Sequence, residues 1–310
     1  MSCKFSQFSF PSSDGIHKIS AYIREPHGKI KGVIQICHGM IDHIERYSGL
    51  AEYFAEQGFV VAGNDHLGHG KSVFSPDEYG FFSEKNSQRL LISDIHIFNR
   101  ILRTRYPKIP IILLGHSMGS FIARLYAVSY PHSLHGLIIL GTSGPNALVG
   151  FGRVLAAVNS AVYGSRNRSK FIAKLAFSGY NSKFPKEEGH NAWLTRESSL
   201  VADRDTDERT NFTFTVSGYR TLFKMLSASN SREWYKKFPK HLPTLIVSGD
   251  MDPVGAYGKG PMTVYKKLLI AGVRGVSIKL YEGARHELFN ETNREEFFED
   301  TLHWILGITG

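Results

Sequence analysis

The chain has 310 residues and a formal net charge of +9, with 42% hydrophobic and 21% charged residues. This is slightly longer than one compact core usually grows, so we expect one core with an insertion. With only two cysteines, Cys3 and Cys37, a disulfide framework is not expected. The first residues lack the apolar segment of a signal peptide, and no run of eighteen apolar residues exists, so the expected location is cytoplasmic.

The first 25 residues predict a β-hairpin. Residues 4–10 and 17–23 alternate between apolar and polar, and residues 11–15 are typical of a turn. Further strands are predicted at 33–37, 59–63, 109–114, 137–140, 244–248 and 276–281. Helical patterns lie between most of them, including one at residues 91–102 and an acidic one that starts near Asn293. This alternation predicts an α/β fold, with a mainly parallel sheet covered by helices on both faces.

The most informative motif is Gly115-His116-Ser117-Met118-Gly119, directly after the apolar run 109–114. A GxSxG between a strand and a helix is typical of a nucleophile elbow, whose sharp turn exposes a serine hydroxyl. Glycines are expected at both ends because strand and helix nearly touch there. Helical spacing continues until Pro131 ends the segment. Ser117 is therefore the predicted nucleophile.

A serine nucleophile needs a histidine base and a carboxylate that orients it. When they follow an elbow, the acid comes first and the histidine second, on loops after later strands. His286, after strand 276–281, is the predicted base. Asp250 and Asp252 both follow strand 244–248, and Asp252 is favoured because it lies further along the loop, next to the stiffening Pro253. Asp250 is then expected to cap local backbone N–H groups of the turn.

The loop after strand 33–37 is the candidate oxyanion hole. Such a site takes one backbone N–H from the residue after the nucleophile and one from a loop after an earlier strand. The predicted donors are the amides of Met118 and Met40, and Gly39 allows the backbone to approach the substrate. A simple turn is the alternative interpretation of this loop.

Five ordered motifs resemble those of α/β-hydrolases of the monoacylglycerol lipase and lysophospholipase group. They are HGMIDHIERY at 38–47, DHLGHGKS at 65–72, the elbow, GDMD at 249–252 and GARH at 283–286. The resemblance implies the acid role for Asp252 and hydrolysis of carboxylic esters through an acyl-enzyme. Asp42 stands where this group usually carries glutamate, which leaves the bonding of that carboxylate open. The loop with His66 and His69 is expected to shape the site rather than to catalyse.

A segment of roughly a hundred residues between Gly141 and Leu242 is too long for a loop. Helical patterns at 148–162 and 171–177 predict that it is a helical lid inserted before the acid-bearing strand, with domains at 1–141 plus 242–310 (core) and 142–241 (lid). Residues 145–240 hold sixteen Lys and Arg against eight Asp and Glu. Transient contact with an anionic membrane is one interpretation of this charge, and a solvated surface is the other.

The expected function is hydrolysis of a small ester with an apolar acyl chain, of monoacylglycerol or lysophospholipid type. The alternatives are a short-chain carboxylesterase of broad specificity and a serine aminopeptidase with an acidic subsite at residues 203–208, which we interpret as a solvated charge run. An inactive binding protein is disfavoured because every triad position is filled. No metal or cofactor is expected, because the chain has neither a metal-ligand cluster nor a dinucleotide fingerprint. Nucleic acid is not an expected partner, and no oligomeric state is predicted.

Overall fold

Eight strands form the sheet, in the order β1-β2-β4-β3-β5-β6-β7-β8. The computed structural model describes residues 3–309. The strands are β1 (Lys4–Pro11), β2 (Lys18–Glu25), β3 (Gly32–Cys37), β4 (Phe59–Asn64), β5 (Ile111–His116), β6 (Gly136–Leu140), β7 (Thr244–Gly249) and β8 (Val276–Tyr281). The β1–β2 hairpin is antiparallel and joins β4 antiparallel, and the remaining neighbours are parallel. The predicted hairpin and mainly parallel α/β sheet are confirmed.

Ten α-helices flank the sheet in the part of the chain that the structure describes. They are α1 (Ser48–Glu56), α2 (Ser87–Arg105), α3 (Met118–Ser129), α4 (Leu148–Tyr163), α5 (Lys170–Ala176), α6 (Ser198–Thr206), α7 (Val216–Ser229), α8 (Arg232–Lys237), α9 (Lys259–Ile270) and α10 (Arg294–Thr309). One apolar core joins the sheet to α2, α3 and α9, and another joins its opposite face to α1 and α10. Covering on both faces explains why every residue of β3 to β7 is buried.

The strand before the elbow is displaced from its predicted position. The apolar run predicted residues 109–114, whereas β5 spans Ile111–His116. Pro110 has no N–H to donate to the ladder, and Lys108 before it has a φ of +66°. At the other end, Gly115 still pairs with Cys37 and His116 with Leu140. The sheet therefore extends to the residue immediately before Ser117.

Helices α4 to α8 all lie between β6 and β7, in the segment predicted to be a lid. Arg124 on α3 binds the start of this segment and the turn between α7 and α8. Its guanidinium donates to Thr142 Oγ1 at 3.3 Å and to the Ser143 carbonyl at 3.2 Å, and also to the Ser229 carbonyl and to Asn230 Oδ1. This segment is thus joined to the core beside the elbow helix, while its role as a lid, with limits at 142 and 241, stays a prediction; we keep the name lid for it below.

None of the helices within residues 3–309 combines the length and the apolar character that crossing a membrane would require.

Candidate active site

Ser117 occupies a strained turn between β5 and α3, with φ 53° and ψ −119°. Such a conformation is rare for a residue with a side chain and persists only where its surroundings impose it. A Cβ on Gly115 would lie 2.6 Å from the Ala123 Cβ, and one on Gly119 would lie 2.5 Å from the His38 carbonyl oxygen. The first glycine is therefore required by α3, and the second by the end of β3. The strand, turn and helix of an elbow are all present.

The structure brings His286 and Asp252 together. His286 Nδ1 lies 3.0 Å from Asp252 Oδ2, and both side chains are buried. The carboxylate also accepts from the backbone N–H of Val254 at 2.9 Å and from Ser248 Oγ at 3.3 Å. Because an ionised carboxylate only accepts, the ring proton belongs on Nδ1. This leaves the Nε2 lone pair of His286 available as a base.

Asp250 has a different partner. Its Oδ1 accepts from the backbone N–H of Gly283 at 2.8 Å, 33 residues further along the chain. The predicted local cap is therefore wrong. The physical reason is that β7 and β8 are parallel neighbours, so the loops at their carboxyl ends lie side by side. Asp250 joins these two loops, and within the described residues its carboxylate forms no hydrogen bond with His286.

The loop of His286 packs against the lid and against Gly141. The His286 amide donates to the Trp193 carbonyl at 3.4 Å, and the two rings lie 5.1 Å apart. The next amide, of Glu287, donates to the Leu194 carbonyl at 2.7 Å. Gly141 has a φ of +59°, and a Cβ there would lie 3.1 Å from His286 Cε1. Sequence analysis missed these supports because they join residues that are far apart along the chain.

Met40 and Met118 line one cavity with Ser117 and His286. Met118 is the first residue of α3, so its amide has no partner within the helix. A Cβ on Gly39 would lie 3.4 Å from the Ser117 Cβ, which shows how closely the loop approaches the elbow. Ile41, directly after Met40, has a φ of +51°, an unusual value for a β-branched residue. Both amides are thus placed near Ser117 by constrained backbone.

Asp42 makes a full set of bonds despite its short side chain. Its oxygens accept from the Gly39 amide at 3.3 Å, the His43 amide at 2.9 Å, Arg46 Nη1 at 3.0 Å and the Tyr47 hydroxyl at 2.9 Å. Burial alone would raise the pKa of Asp42, but Arg46 and the neighbouring imidazoles hold it far below the ordinary value. The carboxylate therefore stays charged and fixes the loop that carries Met40.

Arg46 connects this loop to that of His286. It forms a two-pronged pair with Glu287, with Nη1 2.8 Å from Oε1 and Nη2 2.6 Å from Oε2. Burial opposes its charge, but the two carboxylates of Glu287 and Asp42 raise the pKa of Arg46 further. Bidentate pairs of this kind are directional as well as strong. Glu287 carries no recognisable signal in the sequence beyond its position next to His286.

His38, His66 and His69 form a buried cluster beside the oxyanion loop. His38 Nε2 accepts from the His66 amide at 2.9 Å, and the rings of these two residues lie 4.1 Å apart. Burial lowers the pKa of His66 to about 3 and that of His69 to about 4, so both are neutral near pH 7. Neither His66 nor His69 lines the cavity of Ser117. This agrees with the expectation that the loop shapes the site.

The cavity has a volume of about 670 Å³ and a lining of two kinds. Apolar lid residues line one part, namely Val149, Leu175, Phe177, Leu222, Phe223 and Leu226. A cluster of charged residues lines another part, which we call the charged end, namely Asp42, Arg46, Arg204 and Glu287, and the exposed Lys259 of α9 also lines the cavity. The interpretation of residues 203–208 as a solvated charge run is wrong for Arg204, which faces the cavity, and for Asp207, which lies 3.0 Å from the buried His43.

Comparison with known proteins agrees with this arrangement. The family model described as serine aminopeptidase S33 matches residues 28–293. A monoacylglycerol lipase of Mycolicibacterium smegmatis is 28% identical, covering 97% of each chain. The human monoglyceride lipase is 26% identical, covering 95% of this chain and 88% of its own. A thermostable carboxyl esterase from Bacillus coagulans, solved in complex with glycerol, is 31% identical over the full length of both chains, with a TM-score of 0.92. The chain therefore belongs to the serine aminopeptidase S33 family, as an α/β-hydrolase of the monoacylglycerol lipase and lysophospholipase type.

Proposed function

We propose that this protein hydrolyses monoacylglycerols through an acyl-enzyme, with Ser117 as nucleophile, His286 as base and Asp252 as the orienting acid. The observation that carries the proposal is the 3.0 Å contact between His286 Nδ1 and Asp252 Oδ2, at a cavity whose wall includes the strained Ser117. A buried carboxylate on one ring nitrogen holds the imidazole in the tautomer that a general base needs.

In the first half of the reaction, His286 Nε2 takes the proton of the Ser117 hydroxyl while the oxygen attacks the ester carbonyl. The carbonyl oxygen becomes an oxyanion, and the amides of Met40 and Met118 donate to it. Donors that are fixed in place before charge develops stabilise the transition state without reorganisation. The constrained backbone at Ile41 and at the start of α3 supports this role.

In the second half, the tetrahedral intermediate collapses and the bond to the alcohol oxygen breaks. His286 gives its proton to that oxygen, so glycerol leaves neutral and the acyl group stays on Ser117. A water molecule then loses a proton to His286 and attacks the acyl carbon, and collapse releases the fatty acid and restores the hydroxyl. Asp252 keeps the ring oriented in both halves.

The shape of the cavity supports a lipid ester as substrate. An apolar wall from the lid accommodates an acyl chain, and a charged end accommodates a polar head group. Two of the three named relatives that span nearly the whole chain are a monoacylglycerol lipase and a monoglyceride lipase, and the third is a carboxyl esterase. An aminopeptidase would need an uncommitted carboxylate for the substrate amino group. Asp42 and Glu287 are both paired with Arg46, and Asp207 is paired with Arg209, which disfavours that activity.

The lid also has an apolar face that is exposed to solvent. We propose that this face contacts an anionic membrane. Phe151, Val154, Val158 and Val162 are 57–65% exposed and lie three or four residues apart, on one side of α4. Exposed cations lie on the same helix and on the next one, namely Arg153 on α4 and Lys170 and Lys174 on α5. An exposed apolar face accompanied by cations is typical of helices that rest on anionic lipid. A cytoplasmic location stays a prediction.

The proposed function is tested with a substrate panel and one variant. The panel contains monooleoylglycerol, p-nitrophenyl esters of increasing chain length, lysophosphatidylcholine and an aminoacyl anilide. We expect the highest kcat/KM for monooleoylglycerol, and we expect Ser117→Ala to lose both hydrolysis and labelling by a fluorophosphonate probe. A preference for the anilide, or a labelled Ser117→Ala protein, would contradict the proposal.

A further inference from the structure

The charged end of the cavity holds two arginines and two carboxylates. Arg46 uses its Nη atoms on both acids: Nη1 lies 3.0 Å from Asp42 Oδ1 and 2.8 Å from Glu287 Oε1, and Nη2 lies 2.6 Å from Glu287 Oε2. These three residues together carry one net negative charge. Arg204 adds a positive charge from α6 of the lid, so the cluster is electrically neutral before any substrate binds.

Arg204 forms fewer described hydrogen bonds than Arg46. Its Nε is buried and has no hydrogen-bond partner within the described residues, and its Nη2 donates to the Ile41 carbonyl at a long 3.3 Å. Burial and the nearby Arg46 lower the pKa of Arg204, while Glu287 and Asp42 raise it. A buried N–H donor without an acceptor costs free energy, which a ligand with an acceptor at that position recovers. Arg204 Nε is therefore an unsatisfied hydrogen-bond donor on a residue that lines the cavity.

The position of this cluster fits the leaving alcohol rather than the acyl chain. Glu287 directly follows His286, which must return its proton to the alcohol oxygen, and Asp42 binds the Gly39 amide of the oxyanion loop. The alcohol therefore has to lie beside His286, next to the charged end. The acyl chain is left with the apolar lid residues around Phe177 and Phe223.

The charge balance favours a neutral head group. A hydroxyl group both donates and accepts, so a polyol can accept from Arg204 and donate to the carboxylate of Glu287, whose Oε1 accepts one described hydrogen bond, from Arg46. A phosphate group only accepts and brings negative charge towards those same carboxylates. On the basis of the proposed ester hydrolysis, we propose that Arg204 is a specificity-determining residue that binds the glycerol hydroxyls, while the carboxylates of Asp42 and Glu287 disfavour acylglycerols that carry a phosphate.

The test compares three esters of one fatty acid: monooleoylglycerol, methyl oleate and 1-oleoylglycerol 3-phosphate. The variant is Arg204→Met, and the matched control is Arg232→Met, which removes a charge from an exposed lid position outside the cavity. We expect Arg204→Met to lower kcat/KM for monooleoylglycerol at least tenfold and to change it less than twofold for methyl oleate, which has no hydroxyl group to bind. Arg232→Met should leave both values within twofold of the wild type, which should prefer monooleoylglycerol over the phosphate at least tenfold.

Three results would overturn the inference. An equal loss on monooleoylglycerol and methyl oleate would mean that Arg204 acts through the Ile41 carbonyl on the oxyanion loop. Wild-type kcat/KM values for both esters in Arg204→Met would mean that the side chain does not bind the head group, and a wild-type preference for the phosphate would reverse the charge argument. Failure of the proposed function is distinct, since it appears as a wild-type enzyme that cleaves the aminoacyl anilide but none of the oleoyl esters.

Discussion

The exchange of Asp252 for asparagine is the sharpest test of the site, because Asp250 provides a matched control two residues away. In Asp252→Asn the new side chain can still accept from the Val254 amide with its oxygen. Its NH2 group then takes the place of Asp252 Oδ2, which lies 3.0 Å from His286 Nδ1 in the wild type. An NH2 group donates, so the imidazole must move its proton to Nε2. The lone pair that would accept the Ser117 proton is lost.

The expected loss in kcat is about 10⁴-fold, as for the same exchange in other Ser-His-Asp enzymes. At about 1.4 kcal/mol for each factor of ten, this corresponds to about 5.6 kcal/mol of activation free energy. In Asp250→Asn the amide oxygen can still accept from the Gly283 amide, so kcat should stay within about threefold, because only one hydrogen bond to a charged acceptor is weakened.

The assay is steady-state hydrolysis of p-nitrophenyl butyrate, with thermal unfolding of both variants as the control for folding. A collapse of activity in Asp250→Asn with more than a tenth retained in Asp252→Asn would refute the assignment. So would an equal loss in both variants at unchanged thermal stability, because it would indicate that the loop, rather than the carboxylate on Nδ1, matters.

Three further predictions follow from packing, charge and exposure. Gly119→Ala should destabilise the fold by about 2 kcal/mol or more in urea unfolding, because the new Cβ would meet the His38 carbonyl oxygen at 2.5 Å, whereas Gly150→Ala, with open space around it, should not. Burial lowers the pKa of His69 to about 4, so between pH 6.5 and 4 the unfolded state binds a proton that the folded state does not. The thermal stability of the protein should therefore fall as the pH drops through this range. His69→Phe should reduce this dependence of the unfolding temperature on pH, and the control His303→Phe, at an exposed site, should not. Val158→Asp should reduce flotation with anionic vesicles, and equal flotation of wild type with neutral and anionic vesicles at low salt would contradict the membrane contact.

The core of the fold and the chain positions of the site were accessible from sequence because both follow from local rules. Continuous apolar runs predict strands that are buried on both faces, and β3 to β7 are buried throughout. Gly115 is required by contacts within its own strand and helix, whereas Gly119 is required by the end of β3. Asp252 was favoured over Asp250 from its place on the loop, and its carboxylate is the one that contacts His286.

The residues that the lid contributes to the site cannot be predicted from the sequence in the same way. Arg204 belongs to a stretch of alternating charges whose pattern does not say which side of α6 faces the core. Its position over the cavity depends on how the whole insertion folds back, including the attachment of the lid to Arg124. Glu287 is likewise an unremarkable acid until the two loops meet and Arg46 bridges them. Contacts between residues more than a hundred positions apart leave no local pattern.

The bridge between Arg46 and Glu287 leads to a final prediction, because it is the direct bond between the oxyanion loop and the loop of the base. Glu287→Gln keeps the shape of the side chain but removes its charge, and leaves the buried Arg46 with Asp42 as its remaining carboxylate partner. Breaking a buried ion pair from one side costs about 3 kcal/mol or more. We expect a matching loss of stability in urea unfolding, and a lower kcat for every ester, since both loops serve the reaction whatever the alcohol. Glu299→Gln, on the exposed side of α10, is the control. If Glu287→Gln altered only the choice between monooleoylglycerol and methyl oleate, Glu287 would act solely as a ligand of the head group, and the two loops would not depend on their bridge.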